Sequence, residues 1–156
     1  MLGLINIKVL AAGSLFLGNV REPITSTKDG PKAINWGIPF TARPKALRFD
    51  YKTSLPNVAN RIKQNGFSGA STVAGRDHAI VVLYLQKRHE DAKGNITAKR
   101  VGTMVVRYGK STNGWVEDAT YTIHYGDIRH MAGYHAATMG LRSTDYARNS
   151  KGKSVP

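Results

Sequence analysis

"HAIVVLYLQK", residues 78–87, is a continuous apolar run of strand length in which β-branched side chains dominate. Such a run suits a β-strand buried on both faces better than a surface helix, whose apolar positions recur every three or four residues. Downstream, "NITAKRVGTMVVRYG" (95–109) reads as the next strand or pair of strands. "WVEDATYTIHYGD" (115–127) then alternates Tyr121, Ile123 and Tyr125 with Thr120, Thr122 and His124, the period of a half-buried strand. The links "RHEDAKG" (88–94) and "KSTNG" (110–114) are short and polar, and each places Gly beside Asn or Lys, where a positive φ is tolerated in a tight turn. The run is therefore predicted to open a three-strand antiparallel meander.

Upstream, "INWGIPFTARPKALRFDYKTS" (34–54) is dense in turn signals. Gly37 and Pro39 fix a turn, and Pro44, which has no N–H for a ladder, marks the start or edge of a strand. Leu47, Phe49 and Tyr51 then point to the core while Arg48, Asp50 and Lys52 face out. A one-residue slip would bury those charges at several kcal/mol each, so a rigid lead-in serves register. Ile5–Leu10 and Ser14–Gly18 read as core strands separated by Gly13. They do not read as a signal peptide, whose positive charge precedes its apolar stretch, whereas Lys8 sits inside this one. "SLPNVANRIKQNG" (54–66) has Val58, Ile62 and Lys63 at helical spacing before Asn65 and Gly66, which predicts a short helix, and "FSGASTVAGRD" (67–77) reads as a loop.

With strands dominating and no alternation of strand and helix, the predicted fold is all-β, an antiparallel β-sandwich of jelly-roll type, in a single domain over 1–156. The segment 129–156 is rich in small residues and ends in a polar tail. A sandwich ending on an internal strand leaves an open edge, so the expectation is that the final C-terminal strands are missing.

The charge is strongly unbalanced, with 23 Lys and Arg against 10 Asp and Glu, a net +13. Polyanions are the partners that such an excess attracts. Nucleic acid ranks last among them, because the basic residues are spread along the chain with only mild clusters at 86–100 and 148–156. No apolar run approaches the roughly 20 residues of a membrane helix, so no transmembrane segment is expected, and the chain has no Cys for a disulfide or thiolate site.

Motifs for catalysis are weak. Glu117 and Asp118 are neighbours on a strand and point to opposite faces, Glu90 and Asp91 fall in a hairpin loop, and only a distant acid such as Asp50 or Asp127 offers either a partner. His78, His89, His124, His130 and His135 show no metal-ligand spacing. Neither catalytic residue, metal site nor cofactor is assigned; "STDYARNS" (143–150) has oxygen ligands for a structural calcium but few acids.

Several segments taken in order, "AAGSLFLGNV" (11–20), "NWGIPFTARPKALRFDYK" (35–52), "DHAIVVLYL" (77–85), "RVGTMVV" (100–106) and "GWVEDATYTIHY" (114–125), resemble the carbohydrate metabolism domain family of cell-surface and secreted proteins of Bacteroidetes. The resemblance implies a jelly-roll sandwich similar to carbohydrate-binding modules, in an extracellular, cell-surface or periplasmic setting and beside further domains of a larger protein. This chain lacks the family's Ser-rich and acidic, Gly-rich closing strands and its usual low charge.

The expected function is a non-catalytic carbohydrate-binding module, with a glycoside-processing enzyme or a structural module without a ligand pocket as alternatives. A sugar site needs an aromatic platform for the apolar face of a pyranose and polar groups for its hydroxyls. Trp36 and Trp115 flank turns, and Arg43, Arg48 and Lys52 supply donors suited to an anionic glycan.

Overall fold

The computed structural model describes residues 13–24, 30–64, 69–141 and 146–156. The strand expected at Ile5–Leu10 lies outside them. The architecture is all-β and antiparallel, with only short helical turns and no closed barrel among the described residues.

At the centre stands a long hairpin of β6 (Ala79–Glu90) and β7 (Ile96–Tyr108), in register from Ala79↔Tyr108 to Glu90↔Ile96. The register shifts where Leu85 faces Gly102 and Gln86 faces Arg100, leaving Val101 as a bulge residue. The Asp91 carboxylate closes the turn by accepting the backbone N–H groups of Lys93 and Asn95 and the Asn95 side-chain amide, each at 2.9 Å. Those bonds, that of the Asn95 side chain first, hold its pKa below the ordinary carboxylate value.

The third strand of the expected meander is present but divides its pairing. Its first part, β8 (Val116–Thr122), runs antiparallel to β3 (Ala46–Tyr51), while its end, β9 (His124–Tyr125), pairs with Thr103 and Gly102 of β7. Ile123 donates its N–H to Lys45 O on one side, and Gly126 donates to Val101 O on the other. One strand thus joins the hairpin to β3 through opposite edges, giving the spatial order β6, β7, β9 with β8, β3. Thr122 and the residues before it pair with β3, which corrects the simple meander.

Because directly paired residues share a face, Leu85, Gly102, Met104 and Tyr108 lie on the same side as Leu47, Phe49, Tyr51, Tyr121, Ile123 and Tyr125. Met104 is only 2% exposed. A Cβ at Gly102 would meet Leu85 and Ile123 side-chain atoms at 3.1 Å and Tyr125 at 3.2 Å, so the absence of a side chain there lets three others close over β7. Beside it, Tyr51 and Tyr108 rings lie 4.3 Å apart, Phe49 and Tyr121 5.3 Å, and the Tyr108 hydroxyl donates to that of Tyr121 at 2.9 Å. Leu47, Phe49 and Tyr51 are half-buried and Arg48, Asp50 and Lys52 exposed, the alternation read from the sequence.

On the opposite face, Tyr84 hydrogen-bonds Thr138 O on α2 (Ala136–Met139), and Arg100 lies 3.7 Å over the Tyr84 ring. The same guanidinium donates to Met139 O and Gly140 O at 3.2 Å. This cover does not extend along β6: Ile80 and Val82 remain 39% exposed. The expectation that β6 is buried on both faces is corrected, because the covering segment bonds Tyr84 and Arg100 at the middle of the hairpin and leaves Ile80 and Val82 exposed.

A small cap closes the hairpin tip. β1 (Gly18–Val20) pairs with β2 (Ile34–Trp36), which follows the helical turn α1 (Gly30–Ala33), and β10 (Ala147–Arg148) pairs with β11 (Ser154–Val155). Arg148 N–H donates to Asn35 Oδ1 at 3.0 Å, Ser154 Oγ to Lys32 O at 2.8 Å, and Asn149 Nδ2 to Gly94 O at 2.9 Å. The strand expected at Ser14–Gly18 is displaced: it begins at Gly18, and Leu15 and Leu17 are exposed.

The helix expected within 54–66 is absent from the described part of that stretch. Asn60–Lys63 is instead β4, paired with β5 (Ser71–Ala74) inside the expected loop. A helix this short would leave most of its terminal backbone groups unpaired. The hairpin pairs them, and the Arg61 guanidinium adds bonds to Ala74 O at 2.8 and 3.2 Å.

Met104→Ala should lower the free energy of unfolding by about 2–5 kcal/mol in denaturant titration, since the vacated space is enclosed by the sheet. Burial raises the phenol pKa values of Tyr108 and Tyr121 above the ordinary 10.0. A group whose folded-state pKa is raised contributes stability that is complete below its unfolded value and lost as pH rises through the folded one. Melting temperature should therefore fall in alkali above pH 10, in step with the appearance of phenolate absorbance, and the fall should be smaller in Tyr108→Phe.

Candidate ligand-binding site

The residues expected to form a sugar site are distributed along the whole sheet. Trp36 ends β2 in the cap: its backbone pairs with Gly18, its carbonyl accepts Arg88 Nη1 at 2.9 Å, and its ring lies 5.1 Å from that of Phe16. Arg88 faces Ala98 near the turn of the hairpin, whereas Tyr108, against Tyr51, ends the other extremity. Ten residues of strand separate those points, roughly 30 Å at 3.3 Å per residue. Trp36 is thus remote from Lys52, which directly follows Tyr51. Arg43 lies between, stacked 4.5 Å over the Tyr125 ring.

Lys52 and Trp115 lie at the same end of the β3–β8 pair. The register of β3 with β8 ends at Tyr51↔Val116, so the next residues outward, Lys52 and Trp115, leave the pair side by side. The turn between β7 and β8 is pinned to the segment after β3. Thr112 N–H donates to Thr53 O and Thr53 N–H to Thr112 Oγ1, both at 3.0 Å, while Leu55 N–H donates to Ser111 Oγ at 2.8 Å. Thr53 Oγ1 also donates to Lys110 O, and Thr112 Oγ1 to Gly114 O, at 2.8 Å each. On this fixed turn Trp115 is 67% exposed, and none of the described aromatic rings stacks on its ring. A large exposed ring on a fixed turn can stack on a flat apolar ligand face, with Lys52 on the adjoining strand as a cationic neighbour in register.

Arg48 belongs to a neighbouring polar cluster. Between Phe49↔Ala119 and Tyr51↔Val116 the register shifts, and Asp118 in the bulge takes φ of 54°. This left-handed conformation is more accessible to Asp than to most side chains. Asp118 N–H donates to Asp50 Oδ1 at 2.7 Å, its carboxylate lies 3.3 Å from Arg48 Nη1, and its carbonyl accepts Thr120 Oγ1 at 3.0 Å. The pairing of Asp118 with Asp50, left open by the sequence, thus occurs through a backbone N–H, on an exposed strand face. Glu90 has no acidic partner among the described residues; it accepts hydrogen bonds from Ser150 N–H and Oγ–H in the cap. Asp127 is bound by Arg129, whose guanidinium and backbone depress its carboxyl pKa well below the usual range.

The bulge partnership of Asp50 with Asp118 was not legible from the sequence; the adjacency of Lys52 and Trp115 needed the register. Two concavities contain none of the expected residues. An open groove of about 470 Å³ lies along Arg61, Lys63, Val73 and His78, and a cavity of about 260 Å³ lies beneath Ile128, Met131, Tyr134 and Met139. No cluster of acidic residues and His able to hold a metal occurs among the described residues; Ser143, Thr144 and Asp145 of the calcium candidate lie outside them. Among the described residues no helix is long and apolar enough to cross a membrane.

No family model, curated protein or solved structure matches the chain.

Asp118→Ala should destabilise the protein by about 1 kcal/mol, through the left-handed backbone and the lost contacts. Asp118→Gly, which accepts that backbone and loses only an exposed ion pair, should change stability by less than about 0.5 kcal/mol. Equal losses in chemical denaturation would show that the ion pair, not the backbone, governs the bulge.

Proposed function

We propose that this chain is a non-catalytic carbohydrate-binding module, a jelly-roll β-sandwich serving at a bacterial cell surface, and that it prefers glycans carrying carboxylate or sulfate groups. The observation that carries the reading is the Trp115 ring, exposed on a turn that hydrogen bonds fix on both sides of Thr112. The resemblance of its strand sequences to a carbohydrate-associated family supports the substrate class, and the net charge of +13 supports the anionic preference.

Stacking on Trp115 supplies orientation, and Lys52 and Lys110 supply charge and hydrogen-bond donors for the edge of the sugar. Trp36 and Arg43 would form a separate contact for a longer chain, since Arg43 already lies on Tyr125 and Trp36 in the cap. Asp118 is engaged with Arg48 and Asp50 with the Asp118 N–H, so the exposed Glu117 of the same strand faces no second free carboxylate of this cluster. Binding without turnover is therefore the favoured reading over hydrolysis.

Isothermal calorimetry against acidic and neutral oligosaccharides tests it. Trp115→Ala should weaken binding by about 1–3 kcal/mol, by analogy with bases stacked on aromatic side chains, and should leave the melting temperature almost unchanged because the ring buries little. Lys52→Ala should reduce the preference for acidic over neutral sugars. Unaltered affinity in Trp115→Ala would sink the proposed platform, and turnover of a chromogenic glycoside would replace the binding module by an enzyme.

A further inference from the structure

The edges of the joined sheet are treated differently. Among the described residues β3 pairs with β8 alone, and its exposed face carries Arg48, Asp50 and Lys52, with a bulge in its partner and Pro44 before it. Charges, bulges and proline are the devices by which natural sheets discourage further pairing. Among the described residues β6 forms the opposite edge and pairs with β7 alone. Beyond that ladder none of its backbone groups has a backbone partner among the described residues. From Ala79 to Leu85 it carries neither charge nor proline, and Ile80 and Val82 are 39% exposed beside the open edge.

The second half of the strand indicates what kind of chain fits. Lys87 lies directly opposite Lys99, both exposed, and neither forms an ion pair with an acidic side chain among the described residues. Like charges at directly opposed positions destabilise a sheet. A strand added at the edge would place a side chain next to Lys87 on that face, about 5 Å away, where a carboxylate would relieve the repulsion. A second copy of this chain offers the reverse, because each copy carries +13.

We infer that the open edge of β6 is a docking site for an extended segment of a partner polypeptide, apolar where it meets Ala79–Leu85 and acidic where it meets Gln86–His89. Main-chain hydrogen bonds to the edge supply affinity, contacts with Ile80 and Val82 favour apolar side chains, and Lys87 with Lys99 selects carboxylates. This site is independent of the proposed sugar platform, which lies on the turn after β7.

The test uses the whole chain and fluorescently labelled synthetic peptides with alternating Val and Thr at one end and Glu and Asp at the other, in both sequence orders so that parallel and antiparallel addition are covered. One order should bind, and methylating alternate backbone nitrogens should weaken it about tenfold or more by removing edge hydrogen bonds. Replacing its acids by Lys should have a comparable effect. In the protein, Lys87→Glu should weaken binding about fivefold or more with no loss of fold. Val82→Lys should abolish binding; should that variant fail to fold, Lys87→Glu and the methylated peptide still decide. Failure of both orders to bind, indifference to methylation, or equal affinity for the Lys peptide would overturn the proposal. So would light scattering that showed the unliganded chain dimerising through this edge, with Val82→Lys restoring the monomer.

Discussion

The structure depends on one strand having two edges. Residues 116–125 pair β3 along one side and reach β7 on the other at Thr103 and Gly102. Without the pairing to β7, the β6–β7 hairpin and the β3–β8 pair would each be a two-stranded ribbon, which is marginal in water. Joined, they bring Met104, Ile123 and the Phe49, Tyr51, Tyr108 and Tyr121 rings onto one face, and Met104 and Ile123 are buried there. Gly102 sits at the junction because Leu85, Ile123 and Tyr125 occupy the space where its side chain would be. The Tyr125 hydroxyl reaches Pro44 O at 2.7 Å, tying the start of β3 to the same point.

The long hairpin, the strand at Ala46–Tyr51 and the one at 116–125 were legible in the sequence because their signals are local: β-branched runs, alternation, and Gly beside polar residues in the links. The choice of partners was not. Nothing in "WVEDATYTIHY" says that Tyr121 faces Leu47 while Tyr125 faces Gly102. The stretch containing Arg61 and Ile62 misled for a related reason, since its apolar residues fit a helical spacing while Ser71–Ala74 offered a nonlocal ladder. Of the expected ligand residues, the sequence could place Trp115 beside a turn, and only register could place Lys52 next to it. Trp36 had the same local credentials as Trp115 but was drawn to the other end of the sheet by pairing with Gly18.

The polar contacts divide in the same way. Asp91 closes its own turn through bonds to residues two and four positions on, and such local chemistry can be anticipated from an Asp followed by Gly and Asn. Asp50 and Asp118 meet across strands at a separation of 68 residues, and the bulge that brings them together has no residue pattern to announce it. Surface ion pairs of this exposure contribute little to stability. Their effect is on shape: the bulge at Asp118 interrupts β8 just after Trp115.

The cap carries a consequence in time. Its bonds from Arg148 to Asn35 and from Ser154 to Lys32 span 113 and 122 residues, whereas the central hairpin closes through a turn at Asp91–Asn95. During synthesis the hairpin can assemble as soon as its own strands emerge, but β2 must wait for residues that the ribosome adds more than a hundred positions later. Closing so long a loop is slow and adds to its entropic cost. For that interval the tip of the hairpin, with Glu90 and Gly94, stands without its cover, and the nascent chain depends on its charge to stay apart from its neighbours.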